Sequence, residues 1–290
     1  MTFNIRCDGN EPGSNSWSNR RSLVVDIIND NHPDIVGLQE VEFNQLQHLK
    51  SSLSDYACIG IGRDISESQF QSVSFNGAAC DNFDGNDDGE YAPIFFLEDK
   101  FELLEWGAFW FSPTPNKPSK FPDASHNRIC TWAKFEEIET GNEFYAFNLH
   151  LEQGQQLERH WIRQQSVMLL IEKIRSRRSN DPVAVTGDFN AVDNDMFVIP
   201  WMTGEETELP GQGILTNNTP LFDTWRTRYP SHPREGTRHD WDGSQTKRRI
   251  DYIFVSELTT VDDSEIIHVT QNGVHPSDHF PVVSLVYLPL

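Results

Sequence analysis

Acids, imidazoles and amides recur in this chain at the ends of short apolar runs, a placement that few folds can tolerate. The last instance, Ser277-Asp278-His279-Phe280-Pro281-Val282, sets a carboxylate and an imidazole side by side just before a strand-like segment. Upstream, Arg249-Ile250-Asp251-Tyr252-Ile253-Phe254 puts an acid inside a β-rich run, and Thr186-Gly187-Asp188-Phe189-Asn190-Ala191 puts an acid and an amide two residues apart after another. Asn148-Leu149-His150-Leu151, Gly37-Leu38-Gln39-Glu40-Val41 and the opening Met1-Thr2-Phe3-Asn4-Ile5-Arg6 repeat the arrangement.

Burying a carboxylate beside core strands is costly unless a cation or hydrogen-bond donors compensate it. One such residue can be an accident of packing, but four acids, two histidines and two asparagines in this setting require a shared cause. If their strands converge, a divalent metal that draws the carboxylates together supplies that cause and leaves the histidines for proton transfer. Oxygen donors without thiolates or a histidine-rich cluster select a hard ion, Mg2+ or Mn2+, over zinc.

Taken in order, these motifs resemble those of the endonuclease/exonuclease/phosphatase superfamily, and the resemblance runs essentially from Met1 to Leu290. The matches are the Asn of the first strand, the Gln-Glu pair, Glu90-Tyr91, Arg128 before a strand, His150-Leu151, Gly187-Asp188-Phe189-Asn190, Ile250-Asp251-Tyr252 and Ser277-Asp278-His279. Any one of them is weak, whereas eight in succession are specific. The resemblance implies an α/β fold: a four-layer α/β sandwich of two packed, mainly antiparallel β-sheets flanked by helices, in one domain over residues 1–290. It also implies a divalent-metal-dependent hydrolase that cleaves a phosphoester by in-line attack of water.

Roles follow from the same resemblance. Glu40 is the principal metal ligand, Asn4 hydrogen-bonds it or a metal-bound water, and Asp278 completes the metal environment. Alone, Glu40 reads equally well as a carboxylate stabilised by the dipole of the next helix. His279 pairs with Asp251, which fixes its tautomer and supports its positive charge; a lone strand histidine would otherwise be a core residue. Asp188 orients or deprotonates the attacking water, and Asn190 donates to a phosphoryl oxygen. His150 stabilises or protonates phosphoryl oxygens with Glu90 as its orienting carboxylate, and Arg128 clamps phosphate. Asp188 and His279 both remain open as general base, and one-ion and two-ion schemes both fit.

The local patterns agree with that architecture. Strands are expected at 1–6, 34–38, 91–97, 101–111, 130–138, 144–150, 182–186, 249–255, 265–269 and 280–287. Helical spacing appears over 19–31, 43–53 and 157–178, the last with Leu157, Trp161, Val167, Met168, Leu170, Ile171 and Ile174 inward. Polar stretches at 62–89, 113–127 and 193–240 read as loops, and loops at one edge of the sandwich would carry the site.

Charge bears on the substrate. The chain has 23 Lys and Arg against 44 Asp and Glu, a net charge of −21, and such a field repels the phosphate backbone of nucleic acid. A compact phosphoester, a small molecule or a headgroup, is therefore the expected partner of a monomeric enzyme. A deadenylase-like exonuclease on single-stranded nucleic acid, a sphingomyelinase-like lipid phosphodiesterase and a non-catalytic binding protein follow as alternatives.

Other signals are weaker. Cys7, Cys58, Cys80 and Cys130 form no Cys-x-x-Cys pair, although Cys58 and Cys80 can bridge if the protein is exported. No apolar run reaches the length of a membrane span and no signal peptide precedes the first strand, so the cytoplasm is favoured unless a leader was removed upstream. Residues 84–89 match the first half of a calcium loop, but Phe95 stands where the bidentate Glu belongs, so an acidic turn is expected there. Trp110 is expected in the core, and Arg238-His239-Asp240-Trp241 either stacks a base or sugar or covers a sheet.

Overall fold

The computed structural model describes residues 1–9, 11–80, 88–209, 213–232 and 235–289. The first half runs β1 (Thr2–Asn4), α1 (Trp17–Asn31), β2 (Ile35–Gln39), α2 (Phe43–Ser52), β3 (Tyr56–Ile59), α3 (Glu67–Ser72), β4 (Ile94–Leu97), β5 (Phe101–Trp110), β6 (Ile129–Glu137) and β7 (Glu143–His150). The second runs α4 (Leu157–Arg175), β8 (Val183–Asp188), α5 (Val198–Thr203), β9 (Thr207–Leu209), β10 (Gly213–Leu215), β11 (Leu221–Asp223), α6 (Thr224–Arg228), β12 (Asp251–Ser256), β13 (Thr260–Ile266) and β14 (Val282–Tyr287). Most of the calcium-like stretch at 84–89 lies outside the described residues.

Two six-stranded sheets result, ordered β13-β14-β1-β2-β4-β3 and β11-β12-β8-β7-β6-β5. Each holds one parallel pair, β1 with β2 and β7 with β8, among antiparallel neighbours. Each pair is joined by a helical crossover, α1 or α4, because parallel strands need a long connection. Phe96 and Ile94 of one sheet face Phe135, Trp106 and Ala133 of the other in a shared apolar layer. Leu46 and Ile28 cover the outer face of the first sheet, and Leu170 and Ile174 that of the second. This is the four-layer sandwich expected, with two mainly antiparallel sheets between helices.

A polar seam crosses the middle of the sandwich. Gln39 Nε2 donates to Asn148 Oδ1 at 2.7 Å, and Asn148 Nδ2 donates to Leu38 O at 2.7 Å and Pro93 O at 2.9 Å. Thr186 Oγ1 also donates to Asn148 Oδ1, at 3.0 Å. Buried amides are tolerated when hydrogen-bonded in this way. Gly37 permits the approach, since a Cβ there would run into Thr186 Oγ1 and Asn148 Oδ1.

Several local expectations change. Leu157 and Trp161 are 82% and 46% exposed: α4 turns Ile162, Ser166, Val167, Leu170 and Ile174 inward, and Trp161 meets the Phe121 ring edge-on, 5.6 Å between centroids. Residues 265–269 give way to β13, which ends at Ile266, and β14 starts at Val282 rather than Phe280. The stretches read as loops carry α3, α5, α6 and β9 to β11. Cys58 on β3 and Cys80 form a disulfide with a Cα separation of 5.6 Å.

Candidate active site

Strand direction delivers the ionisable residues to one edge. Asn4 and Glu40 stand at the ends of parallel β1 and β2, and His150 and Asp188 at the ends of parallel β7 and β8. β12 runs antiparallel to β8, so its first residue, Asp251, pairs with Asp188, which itself pairs with His150. His279 enters from the segment leading into β14, antiparallel to β1. Thus three adjacent strands place His150, Asp188 and Asp251 in one rung, and the facing sheet brings Asn4, Glu40 and His279 to it.

The side chains interlock. Asn4 Nδ2 donates to Glu40 Oε1 and to Asp188 Oδ2, both at 3.0 Å, so one amide spans two carboxylates. Asn190 N donates to Asp188 Oδ1 at 2.8 Å. His279 Nδ1 lies 2.9 Å from Asp251 Oδ2, and Thr237 Oγ1 donates to the same oxygen at 2.5 Å. Asp251 Oδ1 is buried without a hydrogen-bond partner among the described residues. Glu40 and Asn190 hold φ of 59° and 49°, backbone strain of the kind that clusters at functional sites.

His150 sits between donors. Its Nδ1 is 3.1 Å from Arg128 Nη1, and its Nε2 is 3.1 Å from Asn190 Nδ2 and 3.5 Å from Asp188 Oδ2. Burial first, and the Arg128 charge second, push its pKa well below the usual histidine value, which favours the neutral ring. For His279, burial opposes the charge, but Asp251 outweighs it and raises the pKa to about 10. Burial and then the Asp251 charge lift Asp188 to about 7. Burial opposes ionisation of Glu40 as well, yet His150 first, then Arg6, the Asn4 amide and His279 hold its carboxyl far below the ordinary range.

Glu40, His150 and Asp188 each offer one ligand atom within 4.8 Å of the others, as do Asp188, Asp251 and His279. The Asp278 carboxylate belongs to neither group; Ser277 Oγ lies 3.4 Å from its Oδ1. Glu90 Oε2 is 3.9 Å from His150 Nδ1. Sequence reasoning missed Arg6, whose Nη1 reaches Glu40 Oε2 at 3.4 Å, as well as Arg63, Thr237 and Glu152. Glu152, two residues past His150, and Arg6, two past Asn4, carried a local signal.

Solved structures share this architecture. An endonuclease/exonuclease/phosphatase from Bacteroides vulgatus is 32% identical, with 99% of this chain and 97% of that one covered at a TM-score of 0.80. A mannosyl-6-phosphatase of Bacteroides thetaiotaomicron is 31% identical, with 99% and 98% covered at a TM-score of 0.75. Nocturnin of Xenopus laevis is 25% identical over 281 residues, 92% of this chain, and an uncharacterized protein of Acanthamoeba polyphaga mimivirus is 27% identical over 197 residues, 62% of this chain. The matches span 64% and 62% of those curated relatives' own lengths. With residues 1–279 matching the Endonuclease/Exonuclease/phosphatase family and the acids and imidazoles of its motifs meeting at one sheet edge, the chain belongs to that family.

Proposed function

We propose that this chain is a Mg2+- or Mn2+-dependent phosphoester hydrolase that directs water at phosphorus in line with the leaving group. The observation that carries this reading is the Asn4 amide holding Glu40 and Asp188 together, 3.0 Å from each, beside the His279–Asp251 pair. Two carboxylates drawn onto one amide, Asp188 buried and Glu40 nearly so, with Arg6 a nearby cation, form a donor set suited to a hard ion. Glu40 would hold the ion, with Asn4 and Asp278 supporting it. When bound, it would neutralise developing charge on the phosphoryl group.

The chain's own groups supply the rest. Asp188, held by Asn4 and by the Asn190 N–H, orients and deprotonates the water. The Asn190 amide and neutral His150 bind phosphoryl oxygens without adding charge. Asp251 accepts from His279 Nδ1, which fixes the ring and leaves its other nitrogen for substrate. The net charge of −21 weighs against long nucleic acid, and the likeness to a mannosyl-6-phosphatase supports a compact phosphate ester. The Cys58–Cys80 bridge supports an oxidising compartment.

Hydrolysis of p-nitrophenyl phosphate and bis(p-nitrophenyl) phosphate, each with Mg2+, Mn2+ or chelator, tests the reading in wild type and Asp188→Ala. Metal-dependent turnover lost in the variant is expected. Turnover that survives both chelation and the substitution would discard it.

A further inference from the structure

Glu152 is a carboxylate wholly withdrawn from water beside the site, and the proposed hydrolysis gives it no task. It follows His150, the last residue of β7, by two positions. One of its oxygens, Oε1, accepts from the Ser125 N–H at 3.1 Å, from the Ser125 hydroxyl and from Arg159 Nη1 at 2.8 Å. The other, Oε2, has no hydrogen-bond partner among the described residues and stands 3.6 Å from Arg128 Nε, which is buried and equally without one. A single carboxylate thus meets both ends of the segment from Ser125 to Arg128, with one oxygen at each end. Ser125 and Arg159 are partly exposed and could be satisfied by water, so they do not account for burying a charge. Arg128 is buried and has no such alternative.

The far side of the same guanidinium reaches the site. Arg128 Nη1 lies 3.1 Å from His150 Nδ1. A guanidinium only donates, so Nδ1 accepts and a neutral ring carries its one proton on Nε2. That nitrogen lies 3.5 Å from Asp188 Oδ2 and 3.1 Å from the Asn190 amide, on the side of the water and phosphoryl groups. Glu90, the other acid near the ring, is 3.9 Å from Nδ1 and is held by Arg63 Nη1 at 2.6 Å. The proton of His150 is therefore directed by a cation, and the direction of that cation is set by Glu152.

We propose that Glu152 is a positioning residue that acts through Arg128: it holds the guanidinium against His150 Nδ1 and so keeps the imidazole proton on Nε2, facing the phosphoryl oxygens. Without the carboxylate, Arg128 keeps its charge but loses its fixed direction, and Nδ1 becomes free to take the proton. The ring would then present a bare nitrogen to a phosphoryl oxygen, and a hydrogen bond would give way to repulsion between two acceptors. Partners one shell out from the reacting groups act in this way on ring orientation and tautomer. The effect on turnover rests on the hydrolase reading, whereas the tautomer does not.

Glu152→Gln separates this role from a purely structural one, because the new amide oxygen still accepts from Ser125 and Arg159 while its nitrogen faces Arg128 Nε. Nitrogen NMR of the metal-free protein reads the His150 tautomer, alongside kcat and KM for p-nitrophenyl phosphate and bis(p-nitrophenyl) phosphate with Mg2+. The proton is expected on Nε2 in wild type. In Glu152→Gln the Nδ1-protonated ring should appear and kcat should fall about 10- to 100-fold, with KM changed less. Ser125→Ala loosens the segment but leaves Glu152 against Arg128, and should keep the wild-type tautomer and kcat. Glu152→Asp, with its shorter reach, should lie between wild type and Glu152→Gln and keeps the tautomer readable if the Gln variant fails to fold. A proton on Nδ1 in wild type, an unchanged tautomer in both Glu152 variants, or equal losses in Glu152→Gln and Ser125→Ala would overturn the inference and leave the hydrolase reading intact. No turnover in wild type, with the tautomer still dependent on Glu152, would instead sink the hydrolase reading and retain the positioning role.

Discussion

Asp251 and His279 join the two sheets of the sandwich: one opens β12, the other precedes β14, and their side chains meet at 2.9 Å with both residues buried. The pair fixes one ring nitrogen of His279, and its loss would free the ring to rotate and lose charge. Asp251→Asn is expected to lower kcat by about 100- to 10,000-fold in a folded protein. In the metal-free protein, a His279 pKa raised to about 10 from 6.5 contributes stability that is complete below pH 6.5 and lost as pH rises through 10. The variant's melting temperature should therefore change less than that of wild type across that interval. Parallel alkaline curves would show that the pair is not charged.

Asn4 is the other hinge of the site. Its amide is the donor common to Glu40 and Asp188, and Asn4→Ala would leave two buried carboxylates facing each other. A loss of about 1–3 kcal/mol is expected from the unsatisfied groups, read by urea unfolding of the chelated protein. Mg2+ should raise the wild-type melting temperature by binding only the folded state, and Glu40→Gln should remove most of that rise. A rise that persists undiminished in Glu40→Gln would place the ion elsewhere.

Placement at the ends of apolar strands marked Asn4, Glu40, His150, Asp188 and Asp251, and the family resemblance assigned their roles; that His150, Asp188 and Asp251 share one rung came only with the strand pairing. That placement gave no access to Arg63 or Thr237, which stand in irregular segments where nothing periodic marks a side chain's direction. β3 was overlooked because Tyr56-Ala57-Cys58-Ile59 is short and follows a turn. The error at Leu157 and Trp161 has a different origin: helical spacing locates a stripe, but not how much of that stripe the neighbouring elements cover. Asn148, read as part of a catalytic motif, proves to tie the sheets together through Gln39, Leu38 O and Pro93 O.

Gly37 tests that seam. A methyl group there meets the Thr186 hydroxyl and the Asn148 amide; Asn148 is fixed by hydrogen bonds across to the other sheet, and Thr186 by bonds to Phe147 O and Asn148 Oδ1 within its own. Gly37→Ala is expected to destabilise the protein by about 1–3 kcal/mol through overpacking, measured by urea unfolding. A neutral result would mean that the two sheets separate easily at their centre.

Behind the site, Arg249 anchors the loop that follows Asn190. Its Nε donates to Asp193 Oδ1 at 2.7 Å, its guanidinium also pairs with Asp223, and it lies over the Tyr252 ring at 4.3 Å. Burial opposes ionisation of Asp193, but Arg249 and then Arg226 outweigh it and hold its pKa below 3.8. A depressed carboxylate contributes stability that is present above 3.8 and lost as pH falls through the folded-state value. Arg249→Met would strand Asp193 and Asp223 and is expected to cost about 3–5 kcal/mol at pH 7. That gap should narrow below pH 3.8, where protonation removes what the arginine was holding. Urea unfolding of both proteins at pH 7 and pH 3 measures it, and an equal gap at the two values would show that the network is held by packing on Trp225 and Tyr252 instead of by charge.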